Sequence, residues 1–214
     1  MAVVTALRAT RRGQVAVHVD GSYVCTVSES FVARWRLFKG RELDEESLAQ
    51  ITLQASEARV LADAYRLLGH RARSRAELRQ RLLAKEHGEQ AVAGALDALQ
   101  RDGLLDDAAF ARSYVADKRR LSGWGADRIR RGLASLGVDG ADAEAALGGP
   151  AEEGGGAELD RALAVLGKMG PPRPPLQAAR RRAYQTLLRR GFAPGLAYAA
   201  IRRWGGESTA DRDE

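Results

Sequence analysis

The run Ile129-Arg-Arg-Gly-Leu133-Ala-Ser-Leu-Gly137-Val138 decides the fold, because its pattern occurs in three copies along the chain. Leu78-Arg-Gln-Arg-Leu82 leads into Glu86-His87, and Ala183-Tyr-Gln-Thr-Leu187 leads into Gly191-Phe192, at the same offset. Five positions beyond the second residue of each pair stand Val92, Ala143 and Ala197, and four further on stand Leu96, Leu147 and Ile201. Apolar residues four apart share one face of a helix. Gly137 and Gly191 suit the left-handed position just past a helix C-terminus. Glu86 takes that place in the first copy and requires another way to end the turn. A further amphipathic stretch precedes each copy, at Leu61 to Leu68, Phe110 to Val115 and Leu159 to Leu166. The unit is therefore three short helices, repeated three times over roughly 45 residues each. Such a unit buries little alone, so neighbours stack and the sequence predicts an elongated array. One compact bundle with coincident spacings is the alternative reading.

Outward from the repeats the texture changes. Gln14 to Val19 alternates apolar residues with others, Asp20-Gly21 is a type I′ turn signal, and Ser22 to Val27 follows, which predicts a β-hairpin. Ser28 or Ser30 can cap a short helix through Phe31, Trp35 and Phe38, stopped at Gly40. Asp44-Glu45-Glu46 opens a helical stretch with acids in its first turn. No Gly or Pro interrupts it before Gly69, and one long helix or two abutting ones fit equally.

The fold class expected is thus mainly α: three tandem three-helix repeats behind a small segment containing a β-hairpin. The boundaries read as 1–43 for the hairpin and short helix, 44–105 for a leading helix and repeat one, and 106–148 for repeat two. They continue as 149–157 for a flexible Gly-rich linker, 158–205 for a basic repeat three, and 206–214 for a disordered tail. The linker and the Gly170-Pro-Pro-Arg-Pro-Pro175 break lead us to expect that repeat three shifts relative to the first two.

The composition narrows the function. With 34 Lys and Arg against 28 Asp and Glu, the formal charge is +6, which favours an anionic partner. A single cysteine, Cys25, excludes an intramolecular disulfide framework, and we read it as an inert core residue. The N-terminal residues lack a signal-peptide pattern and no apolar run reaches the ~18 residues of a membrane span, so a cytoplasmic protein with no membrane partner is expected. His18, His70 and His87 have no metal-ligand spacing, there is no Gly-rich phosphate loop, and the pairs Asp106-Asp107 and Glu152-Glu153 have structural explanations. No catalytic residue, metal or cofactor is expected, and the chain does not read as an enzyme.

The charge is unevenly spread. From Arg161 through Gly206 there is no acidic residue. Arg180, Arg181, Arg182, Arg189, Arg190, Arg202 and Arg203 all fall there, with Arg182 and Arg189 on one helical stripe. Repeat two adds Arg119, Arg120, Arg128 and Arg131. Any one of these arginines can be a solvated surface residue. Together, those of repeat three without neutralising acids and those of repeat two with few, they form the candidate nucleic-acid or filament-binding set, since guanidinium bonds phosphate or carboxylate in a planar fork. Tyr184, Tyr198 and Trp204 have the chemistry to stack on bases, yet their helical spacing reads more readily as core.

Three spaced motifs carry a family resemblance. Ser74-Arg-Ala-Glu-Leu-Arg-Gln-Arg-Leu-Leu83 looks like the first signature of the RecX family of recombination regulators. Asp102-Gly-Leu-Leu-Asp-Asp-Ala-Ala-Phe-Ala-Arg-Ser-Tyr-Val115 resembles the second, and Gly125-Ala-Asp-Arg-Ile-Arg-Arg-Gly-Leu-Ala-Ser-Leu-Gly-Val138 is similar to the third. The second has a structural reading too, as a joint between repeats: Leu104-Leu105 end repeat one, Asp106 caps the next helix, and Phe110 and Tyr114 share a face. The departures are Glu86-His87 where the family commonly has Gly-Phe, Trp124 before the Gly125 turn, and the Gly- and Pro-rich insertions around repeat three. The resemblance implies a regulator, expected to be a monomer, that binds the RecA protein filament and single-stranded DNA, with non-specific binding to duplex DNA. It would inhibit the recombinase, ATPase and coprotease activities of RecA, by lodging in the filament groove or capping filament growth. Two alternatives stay open: a DNA-binding regulator using Ile129 to Leu147 as a helix-turn-helix, and a scaffold for a protein partner without a DNA role.

Overall fold

The computed structural model describes residues 1–11, 13–148 and 156–210. The chain divides between Leu105 and Asp106 into two compact units. The fold is mainly helical, with repeated helix triplets behind a small antiparallel sheet.

The predicted hairpin forms β2 (Val15–Val19) and β3 (Ser22–Val27), joined at Asp20 and Gly21, both at positive φ as a type I′ turn requires. It is only part of the sheet. β1 (Ala2–Ala9) pairs with β2 on one side and with the short β4 (Glu42–Leu43) on the other, giving the order β3-β2-β1-β4. Asp20 ties the turn to β1 by accepting from the Val3 amide at 2.8 Å. The short helix α1 (Glu29–Arg34) is capped by Ser28 and ends earlier than Gly40. Val4, Val17, Val27, Phe31 and Leu43 form the core between sheet and helices.

The long helical stretch is a single helix, α2 (Glu45–His70), capped by Asp44, whose side chain accepts from Ser47 N at 2.7 Å. At ~1.5 Å rise per residue it is long enough to serve two cores. Ile51 and Ala55 pack against the sheet, and Val60 and Ala64 close on repeat one with α3 (Arg75–Leu83) and α4 (Glu89–Arg101). Leu105 belongs to that second core, whereas Leu104 is largely exposed.

Repeat two comprises α5 (Asp107–Asp117), α6 (Ala126–Ser135) and α7 (Gly140–Leu147). Asp106 caps α5 through the Ala109 amide, and a π-helical turn, Lys118–Ser122, follows it. Repeat three comprises α8 (Gly156–Gly167), α9 (Leu176–Arg190) and α10 (Pro194–Ala210). The aligned apolar positions do the same work in each copy: Leu78 and Leu82, Ile129 and Leu133, and Ala183 and Leu187 are all buried. Burying one such leucine contributes about 2 kcal/mol. Gly137 and Gly191 take positive φ after α6 and α9, and Glu86 does the same after α3 at φ 62°. The first copy thus ends its helix as the others do, without the glycine.

Two boundaries differ from the sequence reading. Of the predicted linker 149–157, residues 156 and 157 already belong to α8, while 149–155 lie outside the described residues. Helix α10 continues to Ala210, beyond the predicted start of the tail at 206, and 211–214 lie outside the described residues.

Candidate nucleic-acid interface

Helices α9 and α10 of repeat three cross over a core of Ala183, Leu187, Phe192, Ala197, Ala200 and Ile201. Above that core they leave an open groove of about 1120 Å³, lined by Arg180, Arg181 and Tyr184 from α9 and Tyr198, Arg202 and Gly205 from α10. Helical spacing places these residues side by side: 177, 181 and 184 share a face of α9, and 198, 202 and 205 a face of α10. Among the described residues Arg180, Arg181, Arg182 and Arg202 have no ion-pair partner, and all are exposed. Arg182 is exposed and is not among the residues that line the groove. Arg203 is exposed on α10.

The remaining candidates are engaged elsewhere. Arg190 donates to the carbonyls of Ser122 and Gly123, so it fastens repeat three to the π turn of repeat two. Arg128 lies 4.1 Å from the Trp124 ring centroid and donates to the Arg189 carbonyl at 3.0 Å. Lys118 takes the same indole at 4.8 Å. Arg119 donates to the Leu147 carbonyl at 2.9 Å, closing the end of α7, and Arg131 to the Asp127 carbonyl at 3.1 Å. Arg120 reaches Asp117 at 3.4 Å, an exposed pair of small energetic weight. Arg189 and Arg131 line a shallower depression of about 620 Å³ beside Trp124. The set read from the sequence therefore splits: Arg180, Arg181, Arg182 and Arg202 are exposed without ion pairs among the described residues, while the arginines of repeat two largely hold backbone and ring contacts.

Repeat three is also joined to repeat two more firmly than the Gly- and Pro-rich insertions suggest. Gly125 N donates to the Arg190 carbonyl at 2.8 Å and Asp127 N to the Gly191 carbonyl at 3.1 Å. Helix α6 has no capping side chain of its own; Glu158 of α8 supplies one, accepting from Ala126 N at 2.7 Å. That carboxylate also suits the positive end of the helix dipole. The backbones approach so closely that a Cβ on Gly125 would collide with the Gly191 carbonyl, and one on Gly191 with Arg128. The expected shift of repeat three against repeat two is thus opposed by a built joint.

Repeat one contrasts with repeat three. Glu77 is buried and receives Arg71, Arg73 and Arg81. Burial alone would raise its carboxyl, but hydrogen bonds from Arg81 and Arg71 and the charges of Arg71 and Arg73 outweigh that and hold it below the usual range. His87 is packed against Asp63 at 2.9 Å, a part-buried contact. Among the described residues no group of His, Cys, Asp and Glu could hold a metal ion, and no helix is long and apolar enough to cross a membrane.

Sequence reasoning missed the groove, because Tyr184, Tyr198 and Trp204 were expected in the core. Trp204 is half-buried, its Nε1 donating to the Gly170 carbonyl at 3.2 Å, and Tyr184 is half-buried, but Tyr198 is exposed. Its neighbours Ala197, Ala200 and Ile201 already fill the buried face of α10, which was the available signal.

Comparison with known proteins bears on this geometry. A family model described as the first three-helix domain of RecX matches residues 61–99, and one described as the second three-helix domain matches residues 106–147. A regulatory protein RecX from Lactobacillus delbrueckii subsp. bulgaricus is 32% identical over 221 residues, covering 100% of this chain and 79% of its own. One from Levilactobacillus brevis is 32% identical over 217 residues, covering 100% and 80%. A crystal structure of a regulatory protein RecX superimposes with a TM-score of 0.69 at 25% identity over 95% of this chain and all of the other. The crystal structure of RecX from Lactobacillus salivarius gives a TM-score of 0.61 at 21% identity over 70% and 96%.

Proposed function

The chain belongs to the RecX family of regulatory proteins, and from that premise we propose that it binds RecA and RecA–single-stranded DNA filaments and restrains them. The observation that carries the reading is the exposed cluster of Arg180, Arg181 and Arg202 around one groove, unpaired among the described residues. Concentrated positive charge without local acids is costly to a fold and is offset by an anionic partner. Guanidinium contacts to phosphate position a protein on nucleic acid without reading sequence. Lodged on a filament, such a surface would oppose strand exchange, ATP hydrolysis and coprotease activity, either from within the groove or as a cap on the growing end. Substoichiometric inhibition with disassembly that depends on filament length favours the cap; saturation at a fixed ratio favours the groove.

The helix-turn-helix alternative fits poorly. Helix α7, which would be the reading helix, contains Asp142 and Glu144 and no basic side chain, so it would repel a duplex groove. Glu144 is besides engaged by Arg130, whose hydrogen bond holds its carboxyl below the usual range.

The test is DNA-dependent ATP hydrolysis by the cognate RecA, titrated with this protein and with a variant carrying Arg180→Ala, Arg181→Ala and Arg202→Ala. Inhibition that the variant loses, and that weakens steeply as salt rises, is the expected result. No effect on hydrolysis together with no retention on RecA–DNA filaments would sink the proposal. Failure to bind any DNA at low salt would point instead to the scaffold reading.

A further inference from the structure

Tyr184 and Tyr198 meet across the groove of repeat three with ring centroids 4.6 Å apart and planes inclined by 34°. Such pairs usually belong to a core, where both rings are covered. Here Tyr198 is 60% exposed, although the buried layer beneath it is complete without it. A large apolar ring held in solvent at a fixed angle is a poor choice for stability alone. The ring is braced on one side by its tilted contact with Tyr184, which is itself half-buried against the repeat-three core.

The surroundings of the pair are cationic on both walls. Arg180 and Arg181 stand on α9 with Gln177, and Arg202 on α10. Gly205 keeps the α10 wall low, with the Arg180 guanidinium 3.4 Å from where its Cβ would be. The sequence holds no acidic residue from Arg161 to Gly206. The groove, at about 1120 Å³, is of the size of sites that take whole small ligands. It thus offers a flat π-face flanked by phosphate-binding forks.

We propose that this groove is a stacking site for an unpaired nucleobase, with the base lying on Tyr198, the ring braced by Tyr184, and the flanking phosphates held by Arg180, Arg181 and Arg202. The inference rests on the reading of repeat three as the partner-facing surface, and it specifies what that surface takes. In a duplex the base faces are covered by their neighbours, so an aromatic platform selects a single strand, and it does so with little sequence preference because every base has a π-face. An acidic protein segment would satisfy the arginines but has no use for the exposed ring.

The experiment measures binding of the full chain to labelled oligothymidylate, to an abasic strand of equal length and to a duplex of equal length. Tyr198→Leu, which keeps bulk at an exposed position, should weaken oligothymidylate binding roughly tenfold. It should leave abasic and duplex binding unchanged and erase the preference for thymidylate over the abasic strand. Tyr198→Trp should keep that preference, which guards against a folding defect in the leucine variant. Equal wild-type affinity for oligothymidylate and abasic strands, or equal loss on single strand and duplex, would overturn the stacking site. Loss of retention on RecA filaments by Tyr198→Leu with thymidylate binding intact would also overturn it, assigning Tyr198 to a contact with protein and not with a base. The filament reading fails separately, if wild-type protein shows Tyr198-dependent thymidylate binding yet neither binds nor inhibits RecA filaments.

Discussion

Repeats one and three place their arginines in contrasting surroundings. In repeat one, Arg71, Arg73 and Arg81 converge on Glu77, Arg75 reaches Asp97 at 2.6 Å, and Arg79 reaches Glu89 at 3.1 Å. In repeat three, Arg180, Arg181, Arg182 and Arg202 have no such partner among the described residues and are exposed. Both regions are rich in arginine as strings of residues. The difference lies in the acids these arginines meet, Glu77 of α3 and Asp97 and Glu89 of α4, for which repeat three has no counterpart between Arg161 and Gly206. Charge spent inside the fold stabilises it, whereas charge left outside is available for association.

The strongest test of this contrast is Glu77→Gln. It removes the carboxylate shared by three guanidinium groups and leaves the buried Arg73 uncompensated. Breaking a buried pair from one side costs about 3–5 kcal/mol, read as a lowered midpoint in urea unfolding of the first unit. The pH dependence has a definite sign. The folded carboxyl titrates below its ordinary value of 4.5, so its contribution is complete above that pH and is lost as pH falls from there through the folded value. Wild type and Glu77→Gln should therefore diverge at neutral pH and converge in acid. Equal midpoints at neutral pH would mean that the arginines of repeat one are as idle structurally as those of repeat three.

Gly125→Ala comes next, and it asks whether repeat three is held by its joint while its outer surface stays free. The added Cβ meets the Gly191 carbonyl, which is backbone and cannot turn aside. Overpacking of that kind costs about 1–3 kcal/mol. Hydrogen exchange should rise at the Gly125 and Asp127 amides, which donate across the joint. Unchanged protection would show that the two repeats do not depend on these bonds.

Smaller again is the effect of Glu86→Gly. Glu86 holds φ at 62°, where Gly137 and Gly191 stand in the other copies at 70° and 85°. Relieving a left-handed non-glycine residue outweighs the extra freedom glycine gives the unfolded chain, and we expect a gain of about 1 kcal/mol in urea unfolding. A loss would mean that the Glu86 side chain has a role the backbone comparison does not reveal.

The helical repeats and the Asp20-Gly21 hairpin were legible in the sequence because each rests on local rules: four-residue spacing, a turn dipeptide, and capping side chains such as Asp106 and Ser28. Strand β1 was not, since Ala2 to Ala9 has little alternation and is made a strand by partners at Val15–Val19 and Leu43. The joint was hidden for the same reason, its cap Glu158 lying 32 residues from the Ala126 amide it receives. The candidate site was legible as a region but not in its membership. Arg190 and Arg128 read like Arg180 and Arg181, and only distant carbonyls and the Trp124 ring separate them.

The smallest expected effect on stability is the most telling for the contrast between the repeats. Arg180→Gln, Arg181→Gln and Arg202→Gln together remove three charges from the groove of repeat three while keeping long polar side chains on α9 and α10. If these arginines serve the fold, their loss should cost as the loss of Glu77 does. If they serve a partner, the stability of the second unit should stay within about 0.5 kcal/mol of wild type, because surface substitutions away from buried contacts seldom do more. A slight gain is compatible with relief of repulsion between neighbouring cations. Affinity for single-stranded DNA should meanwhile fall, and the slope of log affinity against log salt should flatten by about 0.7 for each phosphate contact removed. Stability and binding thus move independently only if the charge of repeat three is external to the fold. A marked loss of stability in this variant would place its arginines beside those of repeat one.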